Sequence, residues 1–120
     1  MANPNIVAVS SIYANTVMDA DVAASAVSLL TCGSNKVQKI NSLVIANIDG
    51  SSAASIDVWI TRSSVDYYLA KTISVPADAT LVVIDKNMGL YLMESDILKI
   101  QASAAGDLSA VCSYEEIDDA

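Results

Sequence analysis

Apolar and polar residues alternate along most of this sequence, and short clusters of turn residues interrupt the alternation at intervals of about 8–12 residues. The clearest run is 56–62, in which Ile56, Val58 and Ile60 fall on one face of a strand. A two-serine break and a second β-prone run follow it, which predicts a hairpin with its turn at residues 62–66. No stretch between consecutive strands is long enough for a crossover helix, so the strands are expected to pair antiparallel.

The composition agrees with a strand-rich chain. Alanine, valine, isoleucine and serine dominate and phenylalanine is absent, and branched aliphatic side chains suit a pleated surface. We predict one all-β domain over residues 1–120, an antiparallel β-sandwich of jelly-roll or immunoglobulin-like type with about seven to nine strands. Turns are predicted at residues 49–50, 63–64, 76–78, 85–89, 94–96 and 106–107.

Three segments leave room for interpretation. Residues 17–30 contain several alanines and are the helix candidate, although the alternation within 25–31 favours a strand. Residues 1–22 are predicted to form an N-terminal arm or an edge strand, and residues 115–120, with four acidic side chains, an acidic tail. Asp49 and Gly50, followed by two serines, predict a hairpin turn in which the glycine supplies a positive φ.

The inward-facing positions of the alternating runs predict a core of branched aliphatic residues. Its main contributors are expected to be Ile45, Ile56, Val58, Ile60, Leu69, Val83, Leu92, Leu98, Ile100 and Val111.

Charge excludes several classes of partner. Fourteen acidic residues oppose six basic ones, which gives a net charge of −8 with no histidine. Such a chain is repelled by nucleic-acid phosphates and by anionic membrane surfaces, so no direct contact with either is expected. No run of about 18 apolar residues is present, and no basic region precedes the first apolar run, so neither a membrane span nor a secretory signal is predicted.

The sequence lacks the usual patterns of catalysis. Without histidine, Ser–His–Asp and Cys–His arrangements are absent, and no glycine-rich phosphate loop occurs. The acidic pairs in turns are interpreted as solvated residues, because neither a glycosidase dyad nor a complete calcium loop is present. We expect no enzymatic activity, no cofactor and no metal. Cys32 and Cys112 are predicted to be reduced and buried, with a disulfide as the alternative.

Two groups of residues are candidates for an interface. The first is the β-prone N-terminal run that contains Ile6, Val7 and Val9, which has little local partner and is expected to contact a neighbouring chain. The second lies on the best-predicted hairpin, where aromatic side chains are candidate anchors and basic ones are candidate rim charges. Its members are Trp59, Arg62, Tyr68 and Lys71. For Trp59 a partly buried cap of its own sheet is the alternative.

One segment, residues 36–117, also carries a resemblance to known proteins. Its pattern is an LVIAN strand with a DG turn, an alternating strand that ends in arginine, the run YYLAKTISVPADATLVVID, the run LYLMESDILKIQASA and a final VCSYEEI. As a whole this pattern resembles the small virion structural proteins of tailed phages, especially those of marine cyanophages, although each piece alone is ordinary β-sandwich sequence.

The resemblance implies a virion protein that decorates or cements the exterior of the capsid. Its expected partners are the major capsid protein, other virion proteins and further copies of itself in a homo-oligomer, and its expected location is the virion after synthesis in the host cytoplasm. A neck, tail or fibre component and a glycan-binding module for the host surface are the alternatives. Clustered exposed aromatic residues would favour the glycan module.

Overall fold

A computed structural model describes residues 7–118, which form nine strands in two antiparallel sheets. The first sheet has the order β1-β9-β3-β6, with β7 also paired to β3, and the second has the order β2-β8-β4-β5. The strand bounds are β1 Ser11–Asp19, β2 Val27–Thr31, β3 Lys36–Asn47, β4 Ala54–Arg62, β5 Val65–Val75, β6 Thr80–Ile84, β7 Leu90–Leu92, β8 Ile97–Ala102 and β9 Leu108–Asp118.

Several pairs join strands from opposite ends of the chain. The first strand pairs with the last, β2 with β8, β3 with β7 and β4 with β5. This is the order of a long hairpin rolled into two facing sheets, the jelly-roll arrangement. The predicted all-β sandwich is therefore confirmed, and of its two proposed types the jelly roll is observed. Residues 27–31 form a strand as predicted, and the described residues contain no helix long and apolar enough to cross a membrane.

The core lies between the sheets and is aliphatic. Six of the predicted core residues are fully buried there, namely Ile45, Ile56, Val58, Leu92, Leu98 and Ile100. Ile60 and Val83 are partly buried and pack against the core. The predictions for Leu69 and Val111 are wrong, since both side chains are exposed.

The β4–β5 hairpin explains the error at Leu69. Ser63 and Ser64 both have positive φ, of 52° and 63°, which matches the two-residue turn that suits the twist of paired strands. Beyond Trp59, which pairs with Tyr68, the register shifts so that Val58 pairs with Ala70. Leu69 therefore falls in a β-bulge, where strict alternation no longer predicts its side.

The two ends of the described chain compare differently with their predictions. Residues from Ser11 onward form β1, whose partner is β9 of the same chain, and Ser10 extends this pairing by donating its N–H to the carbonyl of Asp118 at 3.0 Å. Of the two alternatives predicted for residues 1–22, the edge strand is observed at Ser11–Asp19, and residues 1–6 lie outside the described residues. The predicted acidic tail is wrong from Glu115 to Asp118, because these residues complete β9, which is hydrogen-bonded to a strand on either side.

The Asp49–Gly50 turn also differs from its prediction. It joins β3 in one sheet to β4 in the other, so it is a crossing between sheets and not a hairpin. Gly50 has no positive φ. The turn is instead closed by the carboxylate of Asp49, which accepts hydrogen bonds from the Ser51 N–H at 2.9 Å and the Ser51 hydroxyl at 2.8 Å.

Candidate interaction surface

Strand β5 is exposed along most of its length. It is the edge of its sheet, paired only with β4 among the described strands, and nine of its eleven residues are exposed. We call its exposed large apolar side chains the β5 edge surface; they are Val65, Tyr67, Tyr68, Leu69 and Ile73. An edge strand also presents backbone N–H and C=O groups that a neighbouring chain can pair with.

Trp59 packs against Tyr68, a residue of the β5 edge surface. The indole points away from the core, yet it is only 4% exposed, because Tyr68 covers it with the two ring centres 5.3 Å apart and the planes tilted by 32°. Its Nε1 is buried without a hydrogen-bond partner. Trp59 is therefore a cap of its own sheet, and Tyr68, 45% exposed, is the ring that a partner would meet.

Lys71 also contacts the Tyr68 ring. Its ammonium nitrogen is 4.5 Å from the centre of the Tyr68 ring, a cation–π contact, and 3.9 Å from a carboxylate oxygen of Asp57. The Lys71 side chain is mostly exposed, so this pairing with Asp57 is weak and screened by solvent. Lys71 remains accessible as the rim charge that the sequence predicts.

The strand is bent beside Lys71. Thr72 has a φ of 52°, which a β-branched residue seldom adopts, and both its N–H and its hydroxyl donate to Oδ1 of Asp57. The pairing with β4 shifts between Ile56 and Val58 at this point. Bulges of this kind interrupt an edge and discourage further strand pairing. The stretch from Val65 to Tyr68 is thus the regular, accessible part of the edge.

Arg62 is not the free rim charge that the sequence suggests. Its guanidinium donates from Nε to Oδ1 of Asp96 at 2.7 Å and from Nη2 to Oδ2 at 2.6 Å. Sequence reasoning missed Asp96, since the two residues are 34 positions apart. The register of β4 with β8, which sets Thr61 opposite Ile97, is what brings them together.

A cleft opens next to this ion pair. It has a volume of about 340 Å³ and is lined by Ile60, Arg62, Tyr67, Leu90 and Tyr91. Strand β7 is only three residues long, so the inner side of the hairpin at Ile60 and Tyr67 is incompletely covered. The cleft continues the β5 edge surface toward the other sheet, and its charged group, Arg62, is already paired with Asp96.

The N-terminal candidates are separate from the hairpin residues in the fold. Val7 is exposed and Val9 partly buried, just before β1 at the edge of the opposite sheet. Ile6 lies outside the described residues. The structure therefore brings Trp59, Arg62, Tyr68 and Lys71 together on one hairpin and does not join them to the N-terminal run.

Neither thiol is poised for chemistry. Cys32 and Cys112 are buried and free. Burial, followed by the charge of Asp96, raises the pKa of Cys32 to about 11, and burial raises that of Cys112 to about 12. Among residues 7–118 no group of three or more acidic or cysteine side chains is arranged to hold a metal ion.

Comparison with known proteins shows the fold. No protein-family model matches the sequence, and no curated protein matches it significantly. A structure of Bacillus endospore appendages, described as disulfide-linked pili, matches with a TM-score of 0.53 and 15% identity over 92% of this chain and 90% of that chain. The VP2 subviral particle of infectious bursal disease virus matches with a TM-score of 0.50 and 13% identity over 92% of this chain and 34% of that chain.

A third structure, a pentameric capsid protein isolated from metagenomic phage sequences, has a TM-score of 0.43 and 18% identity over 87% of this chain and 64% of that chain. It is too distant to carry an argument. The chain spans about a third of VP2 but nearly the whole of the appendage subunit. At these identities the first two structures share a fold with this protein, and a fold alone does not give a function.

Proposed function

We propose that this protein is a structural subunit of a tailed-phage virion that decorates or cements the outside of the capsid shell and has no enzymatic activity. The β5 edge surface carries the proposal, because it places five exposed large apolar side chains on a single edge strand. Tyr67 lines the cleft and Tyr68 covers Trp59, so apolar side chains are exposed on both faces of this edge strand. Such an edge suits a contact in which a neighbouring chain pairs with the strand. A protein whose work is to hold neighbouring subunits together needs such a surface and no reaction centre.

The position on the particle is inferred from charge and resemblance. The sequence pattern of residues 36–117 points to tailed-phage virion proteins, and the jelly roll is a fold used by viral capsid proteins such as VP2. A net charge of −8 disfavours packing against DNA inside the shell. We therefore infer a position on the outer surface, with the major capsid protein and other virion proteins as partners.

Tyr68 is the proposed main anchor. It stands on the buried ring of Trp59, so little conformational freedom is lost when a partner covers it. Aromatic residues of this kind dominate binding energies when they are buried at the centre of a contact. Lys71 at the rim would orient an acidic neighbour and add little affinity.

Binding to shells that lack the subunit tests the proposal. The wild-type protein is expected to bind such shells, and Tyr68→Ala is expected to raise the Kd at least tenfold, within the range of hot-spot truncations. Tyr13→Ala is the matched control, because Tyr13 is 55% exposed on β1 at the edge of the other sheet. Equal losses for the two variants would remove Tyr68 as the anchor, and failure of the wild type to bind any shell would overturn the proposal.

The N-terminal run gives a second point of attachment. Deleting residues 2–9, which precede β1, is expected to leave the protein folded while weakening its attachment to the shell. A truncated protein that unfolds would instead place this run in the protein's own fold.

A fibre, neck or tail component is the second candidate. The observation in its favour is the likeness to the endospore appendage subunit, which extends over nearly all of both chains. Electron microscopy of the concentrated protein separates the two candidates, because a fibre subunit would form filaments and a decoration subunit would not. The buried thiols of Cys32 and Cys112 give no support to a disulfide-linked filament.

A further inference from the structure

The outer face of the β1-β9-β3-β6 sheet contains a region without any charge. Three rows of side chains cross it, as the strand register shows. We call these ten residues the neutral patch. The central row is Met18, Val111, Val44 and Val82; the row on one side is Thr16, Ser113 and Ser42; the row on the other side is Ser109, Ala46 and Thr80.

The burial of neighbouring residues fixes which way these side chains point. Leu43 and Ile45 are buried in the core, so Val44 between them points outward. Ala110 and Cys112 are buried as well, so Val111 between them also points outward. Three members of the central row, Met18, Val82 and Val111, are among the exposed large apolar side chains.

The pattern of the neutral patch is symmetric. An apolar row lies between two rows that consist of hydroxyl side chains and one alanine. Consider a two-fold axis that runs along the central row, between two copies packed face to face. The apolar row of one copy then contacts the apolar row of the other, and each small polar row contacts the opposite polar row of the other copy. Such a self-complementary surface is what an isologous dimer contact requires, and small and β-branched side chains allow two sheets to approach face to face at about 10 Å.

The net charge of the chain indicates which molecule binds the neutral patch. Two copies that each carry a net charge of −8 repel one another, and a face without charges is where that repulsion is smallest. A basic partner would be drawn to the acidic parts of the molecule and would gain nothing from a neutral face. Charged side chains border the patch: Glu115 and Lys39 lie in the row beyond Ser113, Asp85 follows the end of β6, and Asp107 precedes β9. We propose that the neutral patch binds a second copy of this chain in a two-fold dimer.

This proposal rests on the proposed assembly function and names the surface through which copies join. It also leaves the β5 edge surface, on the other sheet, free to bind the shell. A dimer of this kind would present two shell-binding surfaces, so its attachment would gain from multivalency.

Sedimentation equilibrium of the full chain between about 1 µM and 1 mM tests the dimer, since this range spans weak to moderate affinities. The wild type is expected to dimerise within this range. Val82→Glu, which adds a carboxylate to the central row, is expected to raise the dimer Kd at least tenfold. Met88→Glu is the matched control, because Met88, in the turn between β6 and β7, is 51% exposed against 56% for Val82 and lies outside both the neutral patch and the β5 edge surface.

Melting curves show whether the variants fold, and Val111→Glu repeats the test at a second position in the row. At about 1 M salt, where the screening length is about 3 Å, the Val82→Glu dimer is expected to recover part of its affinity. A wild type that stays monomeric, or a folded Val82→Glu that dimerises as well as the wild type, overturns the proposal. Shell binding is measured separately, so a monomer that binds shells refutes the dimer alone, and a dimer that binds no shell refutes the decoration function alone.

Discussion

Arg62 and Asp96 form a two-pronged ion pair that joins the end of β4 to the turn before β8, with Nε–Oδ1 and Nη2–Oδ2 distances of 2.7 and 2.6 Å. Asp96 is almost completely buried, with a side chain 1% exposed, whereas the side chain of Arg62 is 54% exposed. The same carboxylate accepts the Met93 N–H at 2.9 Å, and the Asp96 carbonyl accepts the Cys32 N–H at 2.9 Å. The pair therefore holds three chain segments together at one end of the sandwich.

Replacing Arg62 and replacing Asp96 are expected to lower the free energy of unfolding by different amounts. Arg62→Met leaves the Asp96 carboxylate buried without a countercharge, and the expected loss is near the lower end of the about 3–5 kcal/mol seen when buried pairs are broken, because Arg62 is half exposed. Asp96→Asn leaves only an accessible arginine, so a smaller loss of about 1.5–3 kcal/mol is expected. Chemical denaturation of both variants measures the difference; equal losses would contradict the unequal burial of the two groups.

The same pair predicts a dependence of stability on pH. Burial raises the pKa of Asp96, but hydrogen bonds from Arg62 and the Met93 N–H, together with the charge of Arg62, lower it by more, so the net pKa lies below the ordinary value of 3.8. An acid whose pKa is lower in the folded state stabilises that state above the unfolded pKa, and the contribution is lost as the pH falls through the folded pKa. The free energy of unfolding should therefore fall below about pH 4, and less steeply in Asp96→Asn. Identical slopes for both proteins would exclude Asp96 as a source.

Two isoleucines of β4 test where the core ends. Ile56 is fully buried, and Ile56→Ala is expected to lower the free energy of unfolding by about 2–5 kcal/mol. Ile60 is partly buried and lines the cleft, so Ile60→Ala leaves less of an empty cavity and should cost less. The two variants carry the same chemical change, so an Ile60→Ala loss as large as that of Ile56→Ala would show that the cleft is closed in solution.

Alternation and turn chemistry predicted most of the fold, because the chain buries one face of nearly every strand. The prediction failed where a β-bulge changes which residues of the strand face inward. At the bulge in β5, Ala70 packs against the core and Leu69 does not. The prediction also failed where the two faces have similar hydropathy. In β9, Val111 and Cys112 are both apolar, and only the buried Leu108 and Ala110 show that Cys112 is the inner one.

The candidate surface was predicted in part. The hairpin residues Trp59 and Tyr68 were recognised because an aromatic residue on the polar face of an alternating strand stands out. The sequence makes Arg62 a candidate rim charge but does not reveal its partner Asp96, because the two residues are 34 positions apart. The neutral patch is not visible in the sequence, because its rows are defined by pairing across four strands.

The buried thiols predict slow chemical modification. Burial raises the pKa of Cys32 to about 11 and that of Cys112 to about 12, so at pH 8 on the order of one Cys32 in a thousand is a thiolate, the form that reacts. A disulfide-exchange reagent should react slowly with the native protein and count two thiols in denaturant. Rapid reaction of one thiol in the native protein would show that the structure around that cysteine opens locally.

Asp107 is the place where a single substitution should make the protein more stable. Burial, the charge of Asp49, a hydrogen bond from the protonated carboxyl to Asp49 and the charge of Asp21 raise the pKa of Asp107, so ionising this group is less favourable in the folded state than in the unfolded state. The folded state then holds the proton to a higher pH than the unfolded state does, and the penalty disappears as the pH falls through the folded pKa. Asp107→Asn, which carries no charge at any pH, is therefore expected to melt at a higher temperature than the wild type at pH 7.

That gain should shrink toward zero near pH 3, where the wild-type carboxyl is protonated in both states. Asp85→Asn is the matched control, because Asp85 is exposed in a different turn and its one contact, accepting the Asn87 N–H at 2.9 Å, is one that an asparagine oxygen can keep. This control should melt close to the wild type at both pH values. If Asp107→Asn melts below the wild type at pH 7, the Asp107 carboxylate makes a favourable contact that outweighs its repulsion by Asp49 and Asp21.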